Sequence, residues 1–534
     1  MTSCPFSWDF PYAAQKMPVL ARNMVCASQP LAAQAGLHML QCGGNAVDAA
    51  LAAAVALTVV EPVMNGIGGD MFAQVWHEGR LYGLNSSGAA PAGWNLERFA
   101  GQAKMPQRGW DTVTVPGQVA GWKALSQRFG RLPFARLFEP AIGYAREGFM
   151  VSPVIARQWA RQAPELAGQP GFAQAFLRDG AVPGAGSLWK FEDQARSLQA
   201  IADSQGEDFY HGDLGRRIAA FAQQGGAALS LQDLRSHEAL WVEPIHMDFR
   251  GYRLHEIPPN GQGIAALIAL GILGEFDIES MGCDSGDFYH VAIEASKLAF
   301  ADLHEHIADA GSMRHTPAAL LDPRYLQSRA REIAMNQARQ PAPGLPSPGG
   351  TVYLTAADAQ GTMVSFIQSN YQGFGSGVVV PGTGIALHNR GMGFNLRPGH
   401  ANCVAPRKKP MHTIIPGFVT RDGAPVMSFG VMGGSMQAQG HVQMLARLAC
   451  FGQNPQAMSD APRFRVDPGP RGPLVHLESH VPEAAARSLA ARGHDVQVAD
   501  AGSLEFGSAQ IIFKAAHGYI GASDSRRDGQ AAGF

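Results

Sequence analysis

The chain has 534 residues, 46% of them hydrophobic, enough to bury a sizeable core in several ordinary domains or in one large α/β body. Lys and Arg number 42 against 44 Asp and Glu, a formal charge of −2, which gives no electrostatic ground for a nucleic-acid or anionic-membrane partner. The cysteines, Cys4, Cys26, Cys42, Cys283, Cys403 and Cys450, are scattered without a C-x-x-C pair or zinc spacing, and read as buried thiols of a reducing compartment rather than a disulfide frame.

The opening stretch, MTSCPFSWDFPYAAQKMPVL, has no basic region and no unbroken apolar run. No signal peptide is expected there, and the cytoplasm is the expected compartment. Pro30 to Leu40 has helical texture, and Gly43-Gly44 stops it. Asn45 can cap a second helix that carries Asp48 in its first turn, where a carboxylate suits the helix dipole. That helix, AVDAALAAAVALTVV, is apolar almost all round and is expected to be core. The apolar run Ala49 to Val60 is about a dozen residues, too short for a bilayer of about 30 Å.

Asn65 to Asp70 is a Gly-rich turn before the strand MFAQVW. It lacks the Lys-Ser/Thr of a phosphate loop. Thr112 to Trp122 reads as a loop entering a helix. From about Leu132 to Arg250, helical periodicity is broken by Gly/Pro loops, and nothing there is assigned to chemistry. His304 and His306 stand at i, i+2, on different sides of a helix, and H-E-x-x-H is absent, so a polar helix end is expected and no metal. Ser376 and Ser435 lie outside G-x-S-x-G, and no serine-hydrolase elbow is expected.

A Pro/Gly-rich run, Gln340 to Gly350, then delivers the chain to GTVYLTAADAQGTMVSFIQSN. Val352, Leu354 and Ala356 alternate with Tyr353, Thr355 and Ala357 at a period of two, Asp358 to Gly361 reads as a tight turn, and a second strand returns. If the bond Gly350–Thr351 is cut, Thr351 becomes a chain terminus. Its hydroxyl can then be activated by its own α-amine, whose ordinary pKa of about 8 suits a general base. On this local pattern alone, an ordinary hairpin with a surface threonine stands beside that chemical reading.

Further stretches lie in order along most of the chain: GGNAVDAALAAAVALTVVEP, NGIGGDMF, TVPGQVAGW, IPPNGQG, FGSGVVVPGTGIALHNRG and GGSMQAQGH. Together with the hairpin they resemble the γ-glutamyltransferase (γ-glutamyltranspeptidase) family of N-terminal-nucleophile hydrolases. The resemblance implies a four-layer αββα sandwich of class α/β, built from two chains of one cleaved precursor. Residues 1–350, with a release linker over 340–350, would form the large chain and residues 351–534 the small one. The two would pair as a heterodimer, with a dimer of such pairs left open.

The resemblance also implies roles. Thr351 is the nucleophile when Asp358 and Gly361 are placed on the family's D-x-x-G turn. Ser369 stands where a second threonine bonds the nucleophile, and Gly433 and Gly434 match the paired oxyanion glycines. The departures concern the grip on a free amino-acid head. Ser87 replaces the carboxylate-binding arginine and Gly393 the ammonium-binding aspartate. Paired serines become His412 and Thr413, and a glutamine becomes Arg390. Tyr371 replaces an asparagine, with Asn370 one position earlier. One cation and one anion are gone, so a free α-amino acid head is not expected. Arg390 could fork onto a carboxylate next to the scissile amide, or tie its loop to a carbonyl. A small acid amide fits, as in the signal-less branch that includes oxamate amidohydrolases. Neither metal nor organic cofactor is expected. The alternatives are a γ-glutamyl hydrolase or transferase acting on glutathione-like substrates, a glutaryl- or cephalosporin-type acylase, and an unprocessed binding protein without catalysis.

Overall fold

The computed structural model describes residues 5–13, 16–339, 350–469 and 472–534. Cys4 and most of the expected linker, residues 340–349, lie outside the described residues. The strands that matter here, in chain order, are β1 (Val19–Ala21), β2 (Met24–Ala27), β3 (Asp70–His77), β4 (Arg80–Ser86), β5 (Leu240–Val242), β6 (Ile245–Phe249), β7 (Tyr252–Glu256), β8 (Gly350–Ala357), β9 (Met363–Tyr371), β10 (Gly417–Arg421), β11 (Ala424–Val431), β12 (Ala509–Ala515), β13 (Gly518–Ser523) and β14 (Gln530–Gly533). They form two seven-stranded sheets, ordered β14-β2-β8-β9-β3-β4-β5 and β1-β13-β12-β11-β10-β7-β6. The helices used below are α1 (Pro30–Gln41), α2 (Ala46–Val60), α3 (Pro153–Leu166), α4 (Gly263–Leu273), α5 (Gly286–His306) and α6 (Met436–Phe451).

The sheets stack face to face, with Met24, Cys26, Ala357, Met363, Phe418, Ile512 and Tyr519 clustered between them. Helices α1 and α2 cover the outer face of the first sheet, and α4, α5 and α6 that of the second. This is the expected αββα sandwich. Each central strand is buried on both faces, as a four-layer stack requires. In β8, Val352, Leu354 and Ala356 pack into the α2 core, while Thr355 Oγ1 meets Ser428 Oγ of the second sheet at 2.6 Å. A Cβ at Gly430 would lie 2.4 Å from the Tyr353 ring, so that glycine makes room for the aromatic side chain between the sheets.

The local rules that form α2 also place the hairpin. The Asn45 side chain accepts from the Val47 and Asp48 N–H groups, and Asp48 Oδ2 accepts from Asn45 N. This is the reciprocal capping box. Every residue of α2 is buried, and its alanines let α1 approach closely: a Cβ at Gly36 would sit 2.7 Å from the Ala49 carbonyl oxygen. The hairpin turn closes with Asp358 Oδ1 accepting from Gln360 N and Thr362 N, and with Gly361 at φ +97°. The other oxygen of Asp358 accepts from Ala46 N at 2.9 Å. One carboxylate therefore closes the turn and satisfies an orphan donor at the start of α2.

The expectation of uniformly buried cysteines is corrected. Cys26 and Cys403 are buried, but Cys42 is exposed, and Cys283 and Cys450 are half-buried. Cys42 is the residue on which α1 ends, where the chain turns out to solvent. Among the described residues no helix is long and apolar enough to cross a membrane.

Candidate active site

Thr351 lies one residue into β8, at a break in the ladder. Gly350 pairs with Tyr371 and Val352 with Gln368, so two residues of β9, Ser369 and Asn370, stand opposite the single Thr351. A bulge of this kind re-aims side chains locally. Here it brings the two hydroxyls together: Thr351 Oγ1 lies 3.5 Å from Ser369 Oγ, which accepts from Tyr371 N at 2.7 Å. Gln437 Nε2 donates to Thr351 Oγ1 at 3.3 Å, while its carbonyl oxygen accepts from Ile415 N. Gln437 lies in the motif GGSMQAQGH, whose sequence assigns it no role; its place in the first turn of α6, just after the two glycines, is what aims it at the hydroxyl.

Gly433 and Gly434 precede α6 with φ of +115° and +61°, backbone that favours glycine. Their N–H groups have no acceptor among the described residues. They open a 16-residue helix, so the positive end of its dipole is added to two free donors. Gln262 Nε2 donates to Gly434 O at 2.8 Å and also to Thr413 O, tying the glycines to the segment that carries His412 and Thr413. Thr351 and Gly433 together form one wall of a cavity of about 550 Å³.

Arg390, His412, Thr413 and Asn370 are fully buried and do not line that cavity. Arg390 Nη1 donates to Thr413 Oγ1 at 2.8 Å, and its guanidinium lies 4.6 Å from the centre of the Tyr371 ring. Its Nε and Nη2 have no partner among the described residues. Burial pulls its pKa down to about 10, against the pull of Asp70 and Tyr371. His412 Nε2 is 3.0 Å from Asp70 Oδ2, and its Nδ1 accepts from Ile414 N. That pattern places the proton of the neutral ring on Nε2, and burial holds its pKa well below the ordinary value. Among the described residues both amide atoms of Asn370 are unpartnered, as is Gln118 Oε1; Asn370 Oδ1 and Gln118 Oε1 both lie within 3 Å of where a Gly69 Cβ would stand.

Asp70, at the end of the Gly-rich turn, is the hub beneath this group. It accepts from Gly117 N at 2.9 Å and Gly88 N at 3.4 Å, meets His412, and lies 3.6 Å from His388. Burial pushes its carboxyl up to about 7, opposed first by Arg390. The glycines before it are packing requirements: a Cβ at Gly68 would lie 2.5 Å from the Ala386 carbonyl oxygen.

One further wall of the cavity comes from a region expected to carry no chemistry. Helix α3 presents Arg157, Gln158, Arg161 and Gln162 to it, and Arg465 and Arg527 join from later in the chain. The repeat Arg-Gln-x-x-Arg-Gln at i, i+4 was the available signal, but a polar stripe on a helix usually faces solvent. One further cluster joins residues far apart in sequence. His290, Glu294 and His494 bring metal-ligand atoms within 4.8 Å of one another. Lys297 Nζ already fills it, donating to Glu294 Oε1 at 2.8 Å and meeting His494 Nδ1 at 3.1 Å, so an ammonium holds the place a cation would take.

The gamma-glutamyltranspeptidase family profile matches residues 32–534. The chain belongs to the gamma-glutamyltranspeptidase family. It is a self-processing amide-bond hydrolase that uses an N-terminal threonine, and its sandwich is the N-terminal-nucleophile hydrolase fold. Among its relatives in this family, the oxamate amidohydrolase proenzyme of Klebsiella pneumoniae subsp. pneumoniae is 36% identical, over 97% of this chain and 99% of that protein. The glutathione hydrolase-like YwrD proenzyme of Bacillus subtilis is 35% identical, over 97% of this chain and all of that protein. The crystal structure of a cephalosporin acylase from Bacillus halodurans superposes with a TM-score of 0.93 at 44% identity, covering 100% of this chain and 99% of that one.

Two departures from the gamma-glutamyltranspeptidase pattern have a packing reason. Ser87 Oγ donates to Asn85 Oδ1 at 2.8 Å, inside the protein. A Cβ at Gly393 would lie 2.6 Å from the Met411 carbonyl oxygen, so no aspartate fits there without moving the backbone.

Proposed function

We propose that the chain cleaves itself between Gly350 and Thr351, and that the resulting heterodimer hydrolyses amides whose acyl half carries a carboxylate. Oxamate, giving oxalate and ammonia, is the smallest such substrate and the first to test. Thr351 Oγ1 attacks the amide carbonyl while its α-amine takes the proton. The Gly433 and Gly434 N–H groups receive the oxyanion. The proton passes from the Thr351 ammonium to the departing nitrogen, and water then resolves the acyl-enzyme by the reverse use of the same groups. Ser369 and Gln437 hold the hydroxyl in place.

The observation that carries the substrate reading is Arg390, fully buried, with two guanidinium nitrogens unpartnered. A buried guanidinium with two unmade donors is costly even with Asp70 near its charge, and a substrate carboxylate supplies the missing acceptor. A glutathione-type substrate would need a rebuilt site for its ammonium. The cavity volume favours a second reading, an acylase with a larger substrate, because about 300–1,000 Å³ is the range of sites for drug-sized ligands. Intact mass followed by ammonia release from oxamate, with glutathione alongside, tests the first reading. Two chains divided at Gly350/Thr351 and faster turnover of oxamate are expected; an uncut chain, inactive like its Thr351→Ala variant, would leave only the fold.

A further inference from the structure

The cavity beside Thr351 has more cationic side chains than it uses. Arg108 is committed to Glu165 and to the carbonyls of Gly373 and Gly375. Arg161 lies 3.4 Å from Glu505, and Arg465 is held by Asp467 and Glu505. Two arginines are left over. Arg527 is 9% exposed, and its Nε and Nη1 have no hydrogen-bond partner among the described residues. Arg157 makes no ion pair or side-chain hydrogen bond among the described residues. Gln158, 7% exposed and on the same wall, has an unpartnered Oε1.

The acidic groups that face Arg527 are Glu61, Asp524 and Asp528, and none of them pairs with it. Asp524 is claimed by Arg463 and Arg526, Glu61 accepts from Ser28 Oγ, and Asp528 accepts from Ser152 Oγ. Arg157 and Arg527 are close enough for the charge of one to oppose that of the other. Carboxylates attract Arg527, but none bonds its Nε or Nη1, and those unmade donors, on the wall of a cavity that Arg157 also lines, fit the planar oxygens of a further carboxylate.

We propose that Arg157 and Arg527 form an anion subsite for the amine half of the substrate, so that the preferred substrates are N-acyl amino acids or short acidic peptides rather than primary amides. This rests on the reading of Thr351 as nucleophile and of Arg390 as the partner of the acyl carboxylate. Arg390 does not line the cavity, whereas Thr351, Gly433, Arg157 and Arg527 all do. What fills the cavity is therefore attached on the far side of the scissile bond. Cleavage then breaks the C–N bond, and the leaving amine takes its proton from Thr351 and departs with its own carboxylate still held by the arginines.

The test compares N-oxalylglycine with N-ethyloxamate, which share the acyl half and differ in the charge of the amine half. Arg527 is buried, so its replacement risks the fold; Arg157 stands on an exposed helix face and is replaced instead. The wild type is expected to favour N-oxalylglycine at least tenfold in kcat/KM, and Arg157→Glu to reduce that ratio at least tenfold. A wild-type ratio near one, or a ratio within twofold of wild type in Arg157→Glu, overturns the proposal. Calorimetric titration with glycylglutamate, an amine half of the acidic-peptide kind with no acyl group attached, separates the two readings. Binding that weakens at least tenfold in Arg157→Glu, in an enzyme that cleaves neither oxalyl amide, keeps the subsite and discards the acyl reading. Binding equal in both proteins, or absent from both, discards the subsite.

Discussion

At the residue scale the site divides into groups that act through the backbone and groups that act through charge. Gly433 belongs to the first kind. Its φ of +115° excludes a side chain without strain, and a Cβ there would press on Met436 Cβ at 3.3 Å. Alanine keeps the N–H but relieves the strain by turning it away from the oxyanion, so Gly433→Ala is expected to lower kcat by up to about 10²–10³-fold, the typical cost of one lost oxyanion donor, with a far smaller change in KM. Steady-state kinetics on the processed variant checks this, and a loss confined to KM would remove the glycine from the oxyanion role. Arg390 belongs to the second kind, and there structure and function pull apart. If it only ties its loop through Thr413, Arg390→Met breaks one hydrogen bond and costs stability. If it awaits a carboxylate, the empty site already buries a guanidinium with two unmade donors and only Asp70 to offset its charge, and methionine removes that cost. The second outcome is expected: a thermal midpoint equal to or above wild type, with kcat/KM for oxamate down about 10²-fold or more, the scale of losing a charge-assisted hydrogen bond worth about 2–3 kcal/mol.

At the element scale the capping box, the all-apolar helix and the hairpin were legible because each is fixed by residues within one or two turns of one another. Asn45 and Asp48 need only each other, and Asp358 and Gly361 need only the turn they close. The hub at Asp70 was not legible. Its partners, Gly117, His388 and His412, come from three distant segments, and only the stacking of the sheets brings them together. The arginine face of α3 was missed for a related reason, since solvated and cavity-facing polar stripes have the same sequence. The cluster around Lys297 makes a prediction at this scale. His290 Nε2 contacts the Ala334 carbonyl, Glu294 Oε2 accepts from Arg339 N, and Lys297 donates to Arg339 O, so α5 grips the last described residues before the cut. Burial, then Lys297, holds His494 down to about 2. The folded chain thus keeps this imidazole neutral while the unfolded chain protonates it near 6.5. Stability is full above 6.5 and falls as the pH drops below it, by up to about 1.4 kcal/mol per unit for this one group. His494→Asn should flatten the loss of urea midpoint between pH 7 and 5; a slope identical to wild type would sink the assignment.

At the scale of the whole molecule the question is what would hold two chains together after the proposed cut between Gly350 and Thr351. The strand order answers it. Within the first sheet, β8 pairs with β2, β9 with β3, and β14 with β2. Within the second, β10 pairs with β7 and β13 with β1. In each of these pairs one strand lies before the cut and the other after it, so separation would break both sheets and open the cluster between them. Burial of that cluster, at about 25 cal/mol per Å² of apolar surface, opposes separation along with the ladders. Self-cleavage removes one covalent bond from a fold whose topology does not depend on it. The processed protein is therefore expected to give two bands on a denaturing gel, yet to elute as one species, with both chains in every fraction, on native size exclusion. Dilution without denaturant should not divide them, because neither chain keeps a complete sheet alone. Recovery of either chain by itself under native conditions would mean that the ladders across the cut are weaker than the strand order requires, and that the two parts are separable domains after all.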